Sequence, residues 1–261
     1  MKYLDQLQRT IELKKTPKRI VSLVPSQTEL LVDLGLESFI VGVTKFCVHP
    51  SDLRQKTNVV GGTKKVNYDK IIALHPDIIL CNKEENTKDM ISELKSIAPV
   101  HISDIYNIED ALELINMYGK LFSVEEKSAI ITQNIVSAKN DFSKYTENRP
   151  KLKVAYFIWK DPWMVAAQET FIDEMISLNG FENYFENLKR YPEIDIEALD
   201  DSLDAVLLSS EPFPFNESHV ASLAQKLKNT KIIVVDGEYF SWYGSRLQNA
   251  FDYFKKLHQD L

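Results

Sequence analysis

The sequence predicts an α/β fold of two lobes, each built on a parallel sheet, joined by one long helix. Three observations carry this expectation. Short apolar runs alternate with helical patterns in both halves of the chain, the mark of a parallel sheet with helical crossovers. Between the halves lies a stretch without Gly or Pro whose apolar residues step by three and four. The halves also repeat one order of elements. YDKIIALHPDIIL (Tyr68–Leu80) and IEALDDSLDAVLL (Ile196–Leu208) each run acid, short helix, Asp, strand. A second helix and strand follow in each, NTKDMISELKSIAPVHI and then ESHVASLAQKLKNTKIIVV.

Taken in order, Ile20–Val24 is a buried strand bounded by Pro25. Ser26-Gln27-Thr28-Glu29 has the form of a capping box, with Ser26 as N-cap and Glu29 reaching back. Leu30, Leu31 and Leu34 make one apolar helix face, and Gly35 ends that helix in the left-handed conformation. Phe39–Val43, Asp77–Leu80 and Val100–Ser103 read as further strands, with Tyr68–Leu74 and Thr87–Ile97 as helices. From Ile108 to Asn148 there is no strand-like run. Within it, Ser123-Val124-Glu125-Glu126 is a second capping box and Pro150 closes the far end. Ile131, Ile135, Ala138, Phe142 and Tyr145 share one helix face, on a rod of ~37 Å at ~1.5 Å per residue. Alternation then resumes with strand Leu152–Ile158, helix Phe171–Leu178 closed by Asn179-Gly180, and strands Ala205–Leu208 and Ile232–Val235. The implied division is an N-terminal lobe 1–122, a connecting helix 123–149 and a C-terminal lobe 150–261.

A net charge of −7 argues against nucleic acid as a bulk partner. No apolar run approaches the ~20 residues that span a bilayer, and MKYLDQLQRTIELKK has charges where a secretory apolar region would lie, so no signal peptide is read in the sequence as given. That leaves a cytoplasmic chain or one written in mature form. Two cysteines, Cys47 and Cys81, do not make a disulfide framework. With His49 they have a weak metal-ligand spacing, and buried inert thiols are expected instead, with no metal. His75, His101, His219 and His258 fall at element ends or on the terminal helix and form no His-rich constellation. No phosphate-binding or dinucleotide glycine motif and no nucleophile elbow is present, so no catalytic residue, cofactor or enzyme activity is expected.

Four segments carry a resemblance to a known family: TPKRIVSLVPSQTELLVDLGLESFIVGVTKFCVHP, VGGTKKVNYDKIIALHPDIIL, the long helix, and DGEYFSWYGSRL. In these the chain resembles the class III, helical-backbone substrate-binding proteins of ABC importers, and within them the cobalamin-receptor branch. The resemblance implies two Rossmann-like lobes, one backbone helix and a ligand cleft between the lobes. It implies a monomer that captures a corrinoid or related metal chelate (cobalamin, haem or a ferric siderophore) and delivers it to a membrane permease. Its place of work would then be periplasmic or otherwise extracytoplasmic. A cytoplasmic ligand sensor on the same fold and a two-lobed α/β enzyme are the alternatives.

Loops at strand C-termini carry Phe46, Trp159, Trp163, Phe213, Phe215, Tyr239, Phe240, Trp242 and Tyr243, a composition suited to a large flat ligand. Tyr191, just before Pro192, and Phe46 align with aromatic positions of the cobalamin receptors. Thr63 and Asn82 stand where those receptors tend to place bulky aromatics. Lys45, Lys64, Lys65, Lys83, Arg190 and Arg246 suit an anionic ligand, but Glu84, Glu85, Asp161, Glu211 and Glu238 lie beside them and leave the sign open. Arg246 is the foremost cation, because Arg can fork onto carboxylate or phosphate. The expected ligand contacts are Pro25, Ser26, Lys45, Phe46, Thr63, Asn82, Trp159, Trp163, Tyr191, Phe213, Tyr239, Phe240, Trp242 and Arg246. Asp69 and Glu197, which open the matching helices, align with family acids that meet permease arginines. The helix dipole alone also favours an acid there, by ~0.3–1 kcal/mol.

Overall fold

The computed structural model describes residues 1–200 and 202–261; Asp201, within the second repeated segment, lies outside the described residues. The chain forms two compact units, Met1–Ile135 with Tyr243–Arg246, and Val136–Trp242 with Leu247–Leu261.

The first unit opens with an antiparallel pair, β1 (Lys2–Leu4) and β2 (Thr10–Glu12). Its main sheet is built from β3 (Ile20–Ser22), β4 (Ile40–Thr44), β5 (Asn58–Gly61), β6 (Ile78–Asn82) and β7 (Val100–Ser103), in the order β5-β4-β3-β6-β7. Every pair in it is parallel. Covered on both faces, β3, β6 and β7 are buried throughout, which is why they read as continuous apolar runs. The helices are α1 (Pro25–Asp33), α2 (Leu53–Lys56), α3 (Tyr68–Ala73), α4 (Lys88–Leu94), α5 (Ile108–Phe122) and the first half of α6 (Glu125–Thr146).

In the second unit, β8 (Lys153–Trp159), β10 (Glu182–Asn183), β11 (Ala205–Ser209) and β12 (Lys231–Val235) form a parallel sheet in the order β10-β8-β11-β12, and β9 (Met164–Val165) adds antiparallel to β8. Helices α7 (Phe171–Leu178), α8 (Glu217–Ala224), α9 (Gly237–Ser241) and α10 (Leu247–Asp260) complete it. The second half of α6 belongs to this unit, where Phe142 packs against Phe251 and Phe254 of α10 with ring centres 5.6 and 5.9 Å apart. The expected helix face is present: Ile131, Ile135 and Phe142 are buried and Ala138 and Tyr145 half-buried. The repeat of elements is also present, α3-β6-α4-β7 against a 3-10 turn at Ile196–Ala198 followed by β11-α8-β12.

Both capping boxes are corrected. Pro25 is already the first residue of α1, so Val24 occupies the N-cap position and no side chain caps it. Glu29 does not reach back to Ser26, because its carboxylate is drawn to Arg246. Ser123 does not start α6 but ends α5, in the left-handed conformation at φ 57°, and Val124 leads directly into the next helix. Gly35 does lie past α1 with φ 78°. The helix α5, with Asn107 accepting from the Asp110 N–H as its cap, occupies the strandless stretch ahead of α6.

Candidate functional site

In the first unit, the strand order reverses between β3 and β6, where open α/β sheets usually place their binding loops. The turn after β3 is closed. Pro25, Ser26, Gln27 and Thr28 are all buried. Gln27 Nε2 donates to Ser103 Oγ at 2.6 Å and to the Tyr243 hydroxyl at 3.3 Å, while its Oε1 accepts from the Tyr118 hydroxyl at 2.7 Å. Burial raises the pKa of both tyrosines. Asn82, at the end of β6, is buried too. Its Nδ2 donates to Ser103 Oγ at 2.9 Å, and its Oδ1 accepts from the Glu84 and Glu85 N–H groups at 2.8 and 3.1 Å. Asn82 thus shapes the Lys83–Asn86 turn, and an aromatic ring in its place would leave that turn without its acceptor.

Arg246 closes the same side of the unit. Its Nε and Nη2 fork onto Glu29 Oε2 and Oε1 at 2.9 and 2.7 Å, with the two side chains 12% and 18% exposed. Glu29 has a raised pKa because burial outweighs the lowering by Arg246. Thr28 and Thr44 hydroxyls contact Cys47 Sγ at 3.1 and 3.2 Å, and burial raises that thiol. Cys81, inside β6, is pushed up to about 12 by burial. Neither is poised as a thiolate. Among the described residues there is no group of three or more His, Cys, Asp or Glu that could hold a metal ion.

The loops after β4 and β5 are open. They line a concavity of about 640 Å³ with Lys45, Phe46, Thr63, Lys64, Lys65 and Lys70, together with Asn67 and the residues from Val59 to Gly62. Phe46 is 48% exposed, with Lys45 Nζ 4.9 Å from its ring centre. The lining is held from below. Lys45 N–H donates to the Gly61 carbonyl at 2.7 Å, Gly62 N–H to the Lys65 carbonyl at 2.8 Å, and Asn86 Nδ2 to the Thr63 carbonyl at 2.8 Å. Gly61 sits at φ 141°, a conformation that glycine tolerates. Asp69 is exposed in the first turn of α3 beside this loop.

In the second unit, Trp159 ends β8 and is 39% exposed, with Phe213 of the loop after β11 edge-on at 5.6 Å. Phe213 touches Phe215 at 4.7 Å, and Phe215 stacks with Trp163 at 6.0 Å, so these four rings form one cluster. Lys160 Nζ lies 5.7 Å from the Trp163 ring, and the Arg190 guanidinium 5.5 Å from Tyr191. Tyr239, Phe240 and Trp242 are more enclosed than this cluster's Trp159. Tyr239 is half-buried and stacks on Tyr253 at 4.6 Å. Phe240 is fully buried between Tyr156 and Phe254. Trp242 is buried and donates through Nε1 to Glu211 at 2.8 Å; Ser241 Oγ donates to the same carboxylate at 2.8 Å. Burial raises the Glu211 pKa despite those two donors. Glu197 is exposed and ion-paired with Lys226 at 2.6 Å.

Ser103, Tyr118, Gly62 and Lys70 are not among the site residues expected from the sequence. The Gly61-Gly62 pair and the Lys64-Lys65 pair straight after a strand were the available signal for the open loops.

A family model for periplasmic binding proteins matches residues 20–236, a span that takes in both parallel sheets. The chain belongs to the periplasmic binding protein family. An uncharacterized ABC transporter substrate-binding lipoprotein of Bacillus subtilis strain 168, YvrC, is 28% identical to this chain over 187 residues, covering 69% of this chain and 59% of that one. The vitamin B12-binding protein of Pectobacterium carotovorum is 24% identical over 237 residues, covering 88% of this chain and 84% of that one. In fold, the petrobactin-binding protein YclQ of Bacillus subtilis superposes with a TM-score of 0.83 at 18% identity, over 100% of this chain and 98% of that one. Among the described residues, no helix of this family member is long and apolar enough to cross a membrane.

Proposed function

We propose that this chain is the substrate-binding protein of an ABC importer, capturing a corrinoid or related metal chelate (cobalamin, haem or a ferric siderophore) without transforming it. The family match over residues 20–236 carries the reading. The Pectobacterium relative named for vitamin B12 and the petrobactin-binding neighbour support the ligand class. Lys45, Phe46 and Thr63 in the first unit and Trp159, Trp163, Tyr191 and Phe213 in the second are the residues assigned to ligand contact. Pro25, Ser26, Asn82, Phe240, Trp242 and Arg246 are assigned to holding those loops in place. Export follows from the role. Titration of the full chain with cyanocobalamin, haemin and a set of ferric siderophores, followed by tryptophan fluorescence, tests it. Binding of one of them below ~10 μM, with the ligand recovered unchanged, is the expected result; none binding that tightly would reject the reading.

Delivery is assigned to Asp69 and Glu197, one exposed acid on each unit at matching places in the repeat. Reversing both, Asp69→Lys with Glu197→Lys, removes at most a surface pair with Lys226, worth about 0–1 kcal/mol. Ligand affinity should stay within about twofold while permease-stimulated ATP hydrolysis falls sharply, because like charges would then meet. Unchanged stimulation would reject docking through these carboxylates.

A further inference from the structure

We infer that the concavity at the ends of β4 and β5 selects an anionic, oxygen-rich metal chelate over an uncharged one. This deepens the importer reading and rests on it. Four lysines, Lys45, Lys64, Lys65 and Lys70, line that space, and no carboxylate does among the described residues. The chain as a whole carries −7, so the local sign is opposite to what composition supplies. Glu84 and Glu85, which left the sign open in the sequence, lie outside the lining.

The lysines are also positioned. Lys64 Nζ donates to the Glu84 carbonyl at 2.6 Å, and Lys70 Nζ to the Val59 carbonyl at 3.4 Å. Lys45 Nζ is gathered over the Phe46 ring. A concave wall of like charge focuses the potential and concentrates ligands of the opposite sign. Charged oxygens of a chelate are the natural acceptors for ammonium donors, through charge-assisted hydrogen bonds. Phe46 supplies an exposed face for the flat, apolar part of such a ligand, and Gly62 leaves that ring in place, since a Cβ there would lie 3.2 Å from Phe46 Cε2. A space of about 640 Å³ is of the size that accepts a compact chelate.

The test compares three probes on the full chain by titration: ferric enterobactin, a trianionic tris-catecholate; ferrichrome, an uncharged tris-hydroxamate; and cyanocobalamin. At about 0.05 M salt the tris-catecholate should bind about tenfold or more tighter than either uncharged probe, and the advantage should shrink at about 0.5 M. Lys45→Gln/Lys64→Gln/Lys65→Gln should weaken the tris-catecholate about tenfold or more, and by a larger factor than either uncharged probe. An uncharged probe bound as tightly as the tris-catecholate overturns the inference and leaves the importer reading standing. So does a triple variant of native circular dichroism that keeps the anion's affinity. Should the triple variant fail to fold, the salt dependence of the unmodified chain decides: a preference that salt leaves untouched overturns the inference. Absence of binding below ~10 μM for these three probes, for haemin and for the other ferric siderophores overturns both readings together.

Discussion

The turn after β3 and the loops after β4 and β5 leave the same edge of one sheet, yet they are built in opposite ways. After β3, Pro25–Thr28 is buried, and Gln27 joins Ser103, Tyr118 and Tyr243 into a buried network. After β4 and β5 the chain is open, with Phe46 and three of the four lining lysines on short loops held by backbone bonds and a few side-chain bonds to carbonyls, from Arg54, Lys64 and Asn86. The difference teaches that the switch in strand order coincides with the enclosed part of this edge, whereas the open concavity lies one and two strands away. Gln27 and Asn82 at the switch are partnered within the protein, whereas the lysines one and two strands away still have ammonium donors to offer.

The largest effect should come from the closed region. Gln27→Ala removes the acceptor of the Tyr118 hydroxyl and the donor to Ser103, and leaves a buried cavity. Unpaired buried polar groups and an unfilled cavity together should lower stability by about 3–4 kcal/mol. Urea unfolding measures this. A loss below about 1 kcal/mol would mean that the network is not what holds the turn.

His101 sharpens the same point through pH. It lies on β7 with its ring edge-on to Tyr118 at 5.3 Å, and neither ring nitrogen has a hydrogen-bond partner. Burial pushes its pKa down to about 4; Asp5 opposes that shift and Arg9 adds to it. The unfolded chain therefore takes the proton first as pH falls. Stability from this group is complete above about 6.5, declines through the window down to about 4, and in full amounts to about 3 kcal/mol. Urea midpoints at pH 7 and pH 4.5 should differ in the unmodified chain, and the part due to His101 should vanish in His101→Leu. An equal pH slope in both proteins would place the acid sensitivity elsewhere.

How far each region was legible in the sequence follows from how local its contacts are. The parallel strands showed themselves because burial on both faces leaves β6 and β11 no polar alternation to hide in. Residues 108–122 read in the sequence only as strandless, although the α5 signal is equally local: Ile108, Ala111, Ile115, Tyr118 and Phe122 step by three and four, and all are buried. The capping box at Ser26 misled because Glu29 has a better partner 217 residues away, which no short window contains. Arg246, expected to meet a ligand, faces that carboxylate for the same reason. The aromatics divided similarly. Phe46 and Trp159 sit at strand ends and stay exposed, whereas Phe240 is enclosed between Phe254 of the neighbouring α10 and Tyr156 of β8, a partner distant in sequence.

The smallest effect, and the sharpest test of the open region, is Gly62→Ala. The backbone at Gly62 is not in the left-handed region, so alanine is tolerated there, and stability should change by no more than about 0.5 kcal/mol. The added methyl would sit 3.2 Å from Phe46 Cε2, closer than ordinary contact, and the half-exposed ring must yield by a few tenths of an ångström or rotate. A ring contact with a ligand is worth roughly 0.5–1.5 kcal/mol, so partial loss of it should weaken the best-bound ferric chelate about threefold. Phe46→Ala should weaken it further, to the full value of the contact. Titration of both variants beside the unmodified chain measures this. Affinity unchanged in both would remove Phe46 from the ligand surface, and a large stability loss in Gly62→Ala would show that this loop is packed as tightly as the turn after β3.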